Sequence, residues 1–250
     1  MTKRLARLGA AVLTVGLVAL AGPARADIHA RVLGIPGDPA SMVRAYVFEA
    51  GTGQKVTLIG PPPGQSQLRL ADVASPRRPI VVAADFGAAK SPAGRGLFLM
   101  GGKAIAPFNF QGGFDSVVCI KNKKASILST SDFRADPVQV TVRCDSAFQT
   151  FPRLIAGGRN AVSPLARSAR ERRIVLATKG PRAWVLIFPT PVNLFTVAKI
   201  LSLPRRLGGA YEFDEAVSLS VNSDPAAYDY QNLLVGNPQR RAAAAIVVDD

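Results

Sequence analysis

Short apolar runs separated by turn residues make up most of the sequence. Their length and their content of β-branched and aromatic residues are typical of β-strands. The predicted strands are residues 44–48, 80–84, 96–100, 116–120, 125–128, 137–143, 174–177, 183–188, 216–221 and 244–248. The tetrapeptide Thr178-Lys179-Gly180-Pro181 lies between two of these runs and predicts a hairpin turn.

One segment has helical periodicity. From Leu194 to Leu201, apolar residues recur at positions i, i+3, i+4 and i+7, which is the spacing of one helix face. Asn193 precedes this segment and predicts the N-cap. A shorter helix is predicted around residues 70–73. Together these elements predict an α+β fold, a largely β mixed sheet with one or two packed helices in a single domain.

The first 26 residues have the three parts of a secretory signal peptide. Basic residues open the segment, an apolar stretch covers residues 8–22, and Ala24-Arg25-Ala26 forms a cleavage site before Asp27. An uncleaved membrane anchor is the alternative. No apolar run in the chain reaches the roughly 20 residues that cross a bilayer. We therefore expect an exported protein, periplasmic or extracellular, with its domain over residues 27–250 and no transmembrane segment after cleavage.

The net charge of the chain falls after this cleavage but stays strongly positive. The 250 residues include 31 Lys and Arg against 17 Asp and Glu, which gives a net charge of +14. Residues 1–26 hold four basic residues and no acid, so +10 remains after their removal. The basic residues are widely spread, without the Lys/Arg-rich helix or aromatic-interleaved basic motif of nucleic-acid binders. No nucleic-acid partner is predicted.

Cys119 and Cys144 are the only cysteines. In an oxidising compartment they predict a disulfide, with two free buried thiols as the alternative. Two cysteines and the lone His29, which lies near the mature N-terminus, fall short of the four ligands of a structural zinc site, so zinc is not expected. A Ser-His-Asp triad is not expected either, because it would have to use His29 near the exported N-terminus.

A series of short motifs accompanies the predicted elements in a fixed order. The motifs are Asp85-Phe86-Gly87, the segment 92–97, Gly102-Lys103, Gln149-Thr150-Phe151-Pro152, Arg172-Arg173, the predicted helix after Asn193, and Asp214-Glu215-Ala216-Val217-Ser218. In this order, over roughly residues 68–222, the series resembles the phosphodiester glycosidase family. The sequence departs from the family pattern where Phe86, Phe151, Glu215 and Ala216 replace glycines, and where Asp85 replaces asparagine. Side chains at such glycine positions fill space through which the backbone would approach a ligand.

The resemblance implies an exported glycoside hydrolase that acts on a sugar-1-phosphodiester or a related envelope glycan. It implies that Asp214 is the catalytic acid or base. Asp85 stands where the family has an amide, and we expect it to be a second catalytic carboxylate. The resemblance also implies that Arg173 holds the phosphate while Gln149 and Ser218 bind sugar or phosphate oxygens. Such chemistry needs a cation on the phosphate and a carboxyl that assists the leaving group or activates water.

Simpler roles stay open for the same residues. Asp85 and Asp214 follow apolar strand residues, where aspartate commonly caps a turn. Arg172 and Arg173, between which the motif does not decide, belong to a basic stretch that is typical of a solvated loop. Gln149 would then satisfy backbone groups. The functional alternative is a catalytically degenerate relative that binds an anionic glycan or envelope polymer without cleaving it.

The sequence defines no metal site. Asp85, Asp214 and Glu215 could supply oxygen ligands to a divalent cation, but their spacing fixes no geometry. Trp184 stands in an apolar run and is predicted as a core residue rather than a sugar-stacking platform. The cofactor and the oligomeric state are left open.

Overall fold

The structure is a computed structural model that describes residues 28–50, 53–84, 96–111, 113–133, 136, 138–164, 169–219 and 225–249. The predicted signal peptide and Asp85 lie outside the described residues. No helix among the described residues is long and apolar enough to span a membrane.

The described residues form three antiparallel sheets of seven, five and five strands. Sheet I contains β1 (His29–Ile35), β2 (Asp38–Ala50), β14 (Arg182–Asn193), β13 (Arg170–Lys179), β15 (Glu215–Ser218), β11 (Arg153–Ala156) and β12 (Arg159–Asn160). Sheet II contains β17 (Asn232–Val235), β16 (Ala227–Asp229), β5 (Ile80–Ala84), β19 (Ala244–Asp249) and β3 (Lys55–Ile59). Sheet III contains β7 (Lys103–Ala106), β6 (Phe98–Met100), β10 (Ser146–Thr150), β8 (Ser116–Lys121) and β9 (Lys124–Ser129). A two-stranded ribbon pairs β4 (Leu68–Arg69) with β18 (Arg241–Ala242).

The inner faces of the three sheets enclose one central core. Phe48 and Ile174 of sheet I, Val82 of sheet II, and Phe98 and Phe148 of sheet III all belong to this cluster. The outer face of each sheet carries a smaller apolar cluster with one helix. These helices are α1 (Leu70–Val73) on sheet II, α2 (Gln139–Arg143) on sheet III and α3 (Leu194–Leu201) on sheet I. Helices packed on a largely β framework confirm the predicted α+β class.

The two predicted helices are present. Helix α3 has the predicted cap, because the Asn193 side chain accepts a hydrogen bond of 2.7 Å from the backbone of Thr196. Its Val197 and Ala198 are buried against sheet I, as their spacing predicts. Helix α1 covers residues 70–73. Trp184 is buried on the same face of sheet I and packs edge-on against Phe213 at a centroid distance of 5.3 Å.

The strand predicted over residues 137–143 is wrong, because this segment contains α2. Asp136 supports the turn that leads into the helix at Gln139, since its carboxylate accepts from the backbone amide of Val138 at 3.1 Å and its carbonyl accepts from the amide of Gln139 at 3.2 Å. The alternating valines imitate the period of a strand. Only Val140 is buried in the structure, while Val138 and Val142 face solvent.

Cys119 and Cys144 form the predicted disulfide, with their Cα atoms 5.4 Å apart. Cys119 lies in β8, whereas Cys144 follows α2 instead of a strand. Both cysteines are buried in the outer cluster of sheet III. The bond therefore fastens α2 to the sheet that it covers.

Candidate functional site

Arg173 and Ser218 lie on one face of sheet I, on neighbouring strands. β13 and β15 pair antiparallel with Val175 opposite Ser218, so Arg173 is the diagonal neighbour of Ser218. Diagonal neighbours in such a pair are about 7–8 Å apart. The face is the one that α3 covers, because Val175 belongs to the cluster that contains this helix. The structure thus brings together the predicted phosphate ligand and one of its predicted companions.

The guanidinium of Arg173 is buried and only partly paired. Its side chain is 5% exposed, and its Nη1 atom lies 2.8 Å from Oε2 of Glu171. Its Nε atom is buried without a hydrogen-bond partner among the described residues. Desolvation lowers the pKa of Arg173, while the Glu171 carboxylate opposes that shift. Arginine nevertheless stays charged in proteins, so the site holds a desolvated cation with an unused donor.

Backbone and side-chain bonds at Ser218 join sheet III to sheet I. The Thr150 hydroxyl donates to the Ser218 carbonyl at 3.0 Å, and the Ser218 amide donates to the Pro152 carbonyl at 3.1 Å. Thr150 and Ser218 are both fully buried. Leu219 continues the connection, because its amide donates to the Ile174 carbonyl at 2.9 Å. These bonds fix the backbone beside Arg173.

Gln149 lies next to this junction, but its amide serves other backbone segments. Its Oε1 atom accepts from the amides of Leu97 and Asn109 at 2.7 Å each, and its Nε2 donates to the Asn109 carbonyl at 3.0 Å. The side chain is fully buried. It projects from the opposite side of β10 to Thr150, since successive side chains alternate along a strand. Gln149 therefore fastens two loops of sheet III.

Gly96 makes this packing possible. Its φ is +74°, and a Cβ atom there would lie 3.0 Å from Cβ of Gln149 and 2.9 Å from Cε2 of Phe114. Phe114 in turn packs edge-on against Phe151, with ring centroids 5.6 Å apart. Phe151 occupies a position where the family pattern has glycine, and its ring is used in this contact.

Asp214 lies at the other end of β15. Its Oδ2 atom accepts from the Gly180 amide at 3.0 Å, and its amide donates to the Thr178 carbonyl at 2.9 Å. The side chain is exposed. The register of β13 and β15 places Asp214 opposite Lys179. Lys179 lies six residues from Arg173 along β13, which corresponds to a distance of about 20 Å between Asp214 and the Arg173 position. The structure does not bring Asp214 together with Arg173, Ser218 and Gln149.

A charged cluster that the sequence did not single out lies at the β11–β15 pairing. Arg153 Nε donates to Glu215 Oε2 at 2.7 Å, and Glu215 Oε1 accepts from the Gly157 amide at 3.0 Å. Both oxygens of Asp115 accept from the Arg153 amide, at 3.0 and 2.9 Å. No spacing in the sequence links these residues, because they come from three separate parts of the chain. Glu215 stands where the family pattern has glycine, and its carboxylate forms an ion pair with Arg153 in this cluster.

The Asp115 carboxyl in this cluster is partly desolvated. Its outer edge is exposed, while the surrounding protein atoms raise its pKa above the ordinary value for aspartate. Hydrogen bonds from the Arg153 amide and the Ser116 hydroxyl act in the opposite direction and do not cancel the shift. Among the described residues, no group of three or more His, Cys, Asp or Glu side chains is arranged to hold a metal ion.

Comparison with known proteins relates this geometry to solved structures. No family model matches the chain, and no curated protein matches its sequence. The catalytic domain of zebrafish N-acetylglucosamine-1-phosphodiester alpha-N-acetylglucosaminidase, auto-inhibited by its pro-peptide, is similar with a TM-score of 0.62 and 13% identity. That likeness covers 92% of this chain and 85% of the zebrafish domain.

A hypothetical protein from Synechocystis is also similar, with a TM-score of 0.54 and 13% identity. The match covers 88% of this chain and 61% of that protein. At such identities the likeness shows the fold alone. The chain therefore has a fold similar to that of a phosphodiester glycosidase catalytic domain, as a distant structural relationship.

Proposed function

We propose that this protein is an exported, glycoside hydrolase-like protein that acts on a sugar-1-phosphodiester or a related anionic envelope glycan. The similarity in fold to the catalytic domain of a phosphodiester glycosidase supports the glycoside hydrolase-like class. The observation that carries the proposal is the buried guanidinium of Arg173, a neighbour of Ser218 on the sheet, whose Nε atom has no hydrogen-bond partner among the described residues. Export follows from the predicted cleavage after Ala26, and N-terminal sequencing of the protein from the medium or periplasm should begin at Asp27.

Arg173 suits a phosphate because its guanidinium forms two parallel hydrogen bonds to one anionic group. One edge of the guanidinium is engaged by Glu171, and Nε remains for the ligand. A desolvated site strengthens such a charge-assisted bond. In this proposal the Ser218 hydroxyl supplies a second hydrogen bond from the same face, and Gln149 holds the neighbouring loops in place.

The proton transfer needs a carboxyl close to the phosphate. The resemblance assigns that role to Asp214, and Asp85 is the second candidate carboxylate. Because Asp214 lies about 20 Å from Arg173 along the sheet, Asp214 is too far away to act on the same phosphodiester bond. Asp85, which directly follows β5 in the sequence, is the carboxyl that we propose for this role.

The test is an assay of the purified protein against a panel of sugar-1-phosphodiesters, with and without a chelator, in which released sugar is quantified by chromatography. Arg173→Lys keeps a positive charge beside Glu171 but removes the planar guanidinium, which can form two parallel hydrogen bonds to phosphate. We expect turnover to fall about 100-fold. Arg182→Lys is the matched control, because Arg182 lies on the same β13–β14 hairpin as Arg173 and forms an exposed ion pair with Glu49 of β2. Equal activity in the Arg173→Lys variant and the wild type would remove the proposal.

A second candidate function is binding of an anionic glycan without cleavage. It is favoured by the internal bonds that Gln149 and Glu215 already form. Saturable binding of the same phosphodiesters, weakened by Arg173→Lys and without release of sugar, would support this function over hydrolysis.

A further inference from the structure

A groove of about 480 Å³ lies between sheets II and III. One wall is the loop Pro61-Pro62-Pro63, which follows β3, and the other is the β6–β7 hairpin with Phe98 and Ile105. None of these residues has a role in the site around Arg173. The volume is within the range of about 300–1,000 Å³ that small-molecule sites occupy.

The proline wall is held directly against β6. A Cβ atom on Gly60 would overlap Met100 Sδ and lie 3.3 Å from Phe98 Cζ, so a larger residue at position 60 would displace the Met100 side chain. The turn is closed by a 3.0 Å hydrogen bond from the Gln65 amide to the Pro62 carbonyl. Because proline also fixes φ, the wall is formed before any ligand binds, which lowers the entropic cost of binding.

The described residues that line the groove include no charged side chain. Phe98 is 7% exposed, whereas Ile105 at the rim is 58% exposed, although isoleucine is among the residues most often buried. An apolar ligand group would cover Ile105 and gain the free energy of leaving water. Apart from Gln65 and Ser66 the described lining side chains are apolar, so the groove favours an apolar group.

The shape and chemistry of the walls favour an alkyl chain over a peptide or a second protein. Proline has no amide hydrogen, so Pro61, Pro62 and Pro63 offer no backbone donor to an added peptide strand. Ile105 alone exposes a large hydrophobic side chain among the described lining residues, whereas a stable protein interface buries about 800 Å² on each partner. An alkyl chain needs no hydrogen bonds and fits a narrow apolar groove.

We infer that this groove binds the alkyl chain of an amphiphilic ligand. The inference goes beyond the proposed function and does not depend on it. Phe98 of β6 pairs with Phe148 of β10, so the bound chain would lie one strand away from the strand that carries Gln149 and Thr150.

The experiment titrates the protein with alkyl glucosides and alkyl phosphates of four to ten carbons, below their micelle concentrations, by isothermal titration calorimetry. We expect affinity to rise about three- to fourfold with each added methylene for both head groups, until the groove is filled. Ile105→Asp should reduce this increment to less than twofold. Val142→Asp, at a 67% exposed position on α2, is the matched control and should keep the wild-type increment.

The inference is overturned if affinity does not depend on chain length, or if Val142→Asp loses as much as Ile105→Asp. It is also overturned if sedimentation shows a dimer that Ile105→Asp dissociates while alkyl ligands do not bind. Arg173→Lys separates the two proposals, because it should weaken binding of the sugar-1-phosphodiesters and leave the affinities of the alkyl ligands and their increment per methylene unchanged. If the wild-type protein does not bind sugar-1-phosphodiesters but its affinity for alkyl ligands still rises with each methylene, the proposed function is contradicted and the alkyl-chain inference stands.

Discussion

The two ends of β15 place polar groups in opposite situations. At Ser218 the strand is buried between two sheets, and a neighbouring guanidinium keeps an unpartnered Nε atom. At Asp214 the chain is exposed, and the carboxylate closes the β13–β14 turn by accepting from Gly180. An exposed polar group can bond to water, whereas a buried donor without a partner costs about 1–3 kcal/mol. The unsatisfied group therefore marks the Ser218 end as the place for a ligand.

Loss of the disulfide should have the largest effect on the difference in stability between the Ser218 and Asp214 ends of β15. Cys119→Ala with Cys144→Ala opens a closed loop of 25 residues, and we expect the free energy of unfolding to fall by about 3 kcal/mol. Sheet III carries both the disulfide and Thr150, so the Ser218 amide should lose more hydrogen-exchange protection than the Gly180 amide. Chemical denaturation and exchange measured by NMR test both statements.

Reduction of the wild-type protein provides the control for this double variant, since it should cause a similar loss without any substitution. Equal loss of protection at Ser218 and Gly180 would show that the two ends of β15 do not differ in how they depend on sheet III.

Substitution of Asp214 should have an intermediate effect, confined to stability. Asp214→Ala removes the acceptor for the Gly180 amide, and we expect the free energy of unfolding to fall by about 1 kcal/mol. Asp214→Asn retains a carbonyl acceptor and should lose less. Turnover or binding of sugar-1-phosphodiesters should stay within twofold of the wild type in both variants, as measured by the chromatographic assay and by calorimetry.

The Asp214→Asn variant also tests whether the catalytic group lies at the Asp214 end of β15 instead of the Ser218 end. If Asp214→Asn keeps its stability but abolishes turnover, the chemistry belongs to the exposed end of β15 and the role inferred for Arg173 is incorrect.

The smallest effect is expected from the pH dependence of the cluster at Asp115. Its pKa is raised in the folded protein, so the folded state binds this proton more tightly than the unfolded state. The resulting contribution to stability is present below the ordinary pKa of aspartate and is lost as pH rises through the raised value. Unfolding free energies measured between pH 3 and 7 should show this decrease in the wild type and not in Asp115→Asn. The same slope in both proteins would contradict the assignment to Asp115.

Much of the framework follows from local patterns. The apolar run of β5 was predicted with its bounds, and α3 was predicted with its cap, because one strand or helix face is encoded by residues close together in the chain. β10 was missed, since its sequence Ser-Ala-Phe-Gln-Thr has polar residues at buried positions. Gln149 and Thr150 are buried there because distant backbone groups satisfy their hydrogen bonds.

The candidate site was predictable only in part. The order of short motifs singled out Arg173, Ser218 and Gln149, whereas the separation of Asp214 from Arg173 depends on the register of β13 and β15. The cluster of Asp115, Arg153 and Glu215 gave no signal, since each residue lies in a different part of the chain.

The sequence by itself determined the α+β class, the helix cap at Asn193 and the pairing of the only two cysteines, because each depends on local periodicity or on a single possible partner. The tertiary structure alone decided which polar residues are buried together. It placed Arg173 beside Ser218 with an unused donor and left Asp214 at a solvated turn. Burial and strand register act across the whole chain, and these two properties decide whether a charged side chain closes a turn or remains available for a ligand.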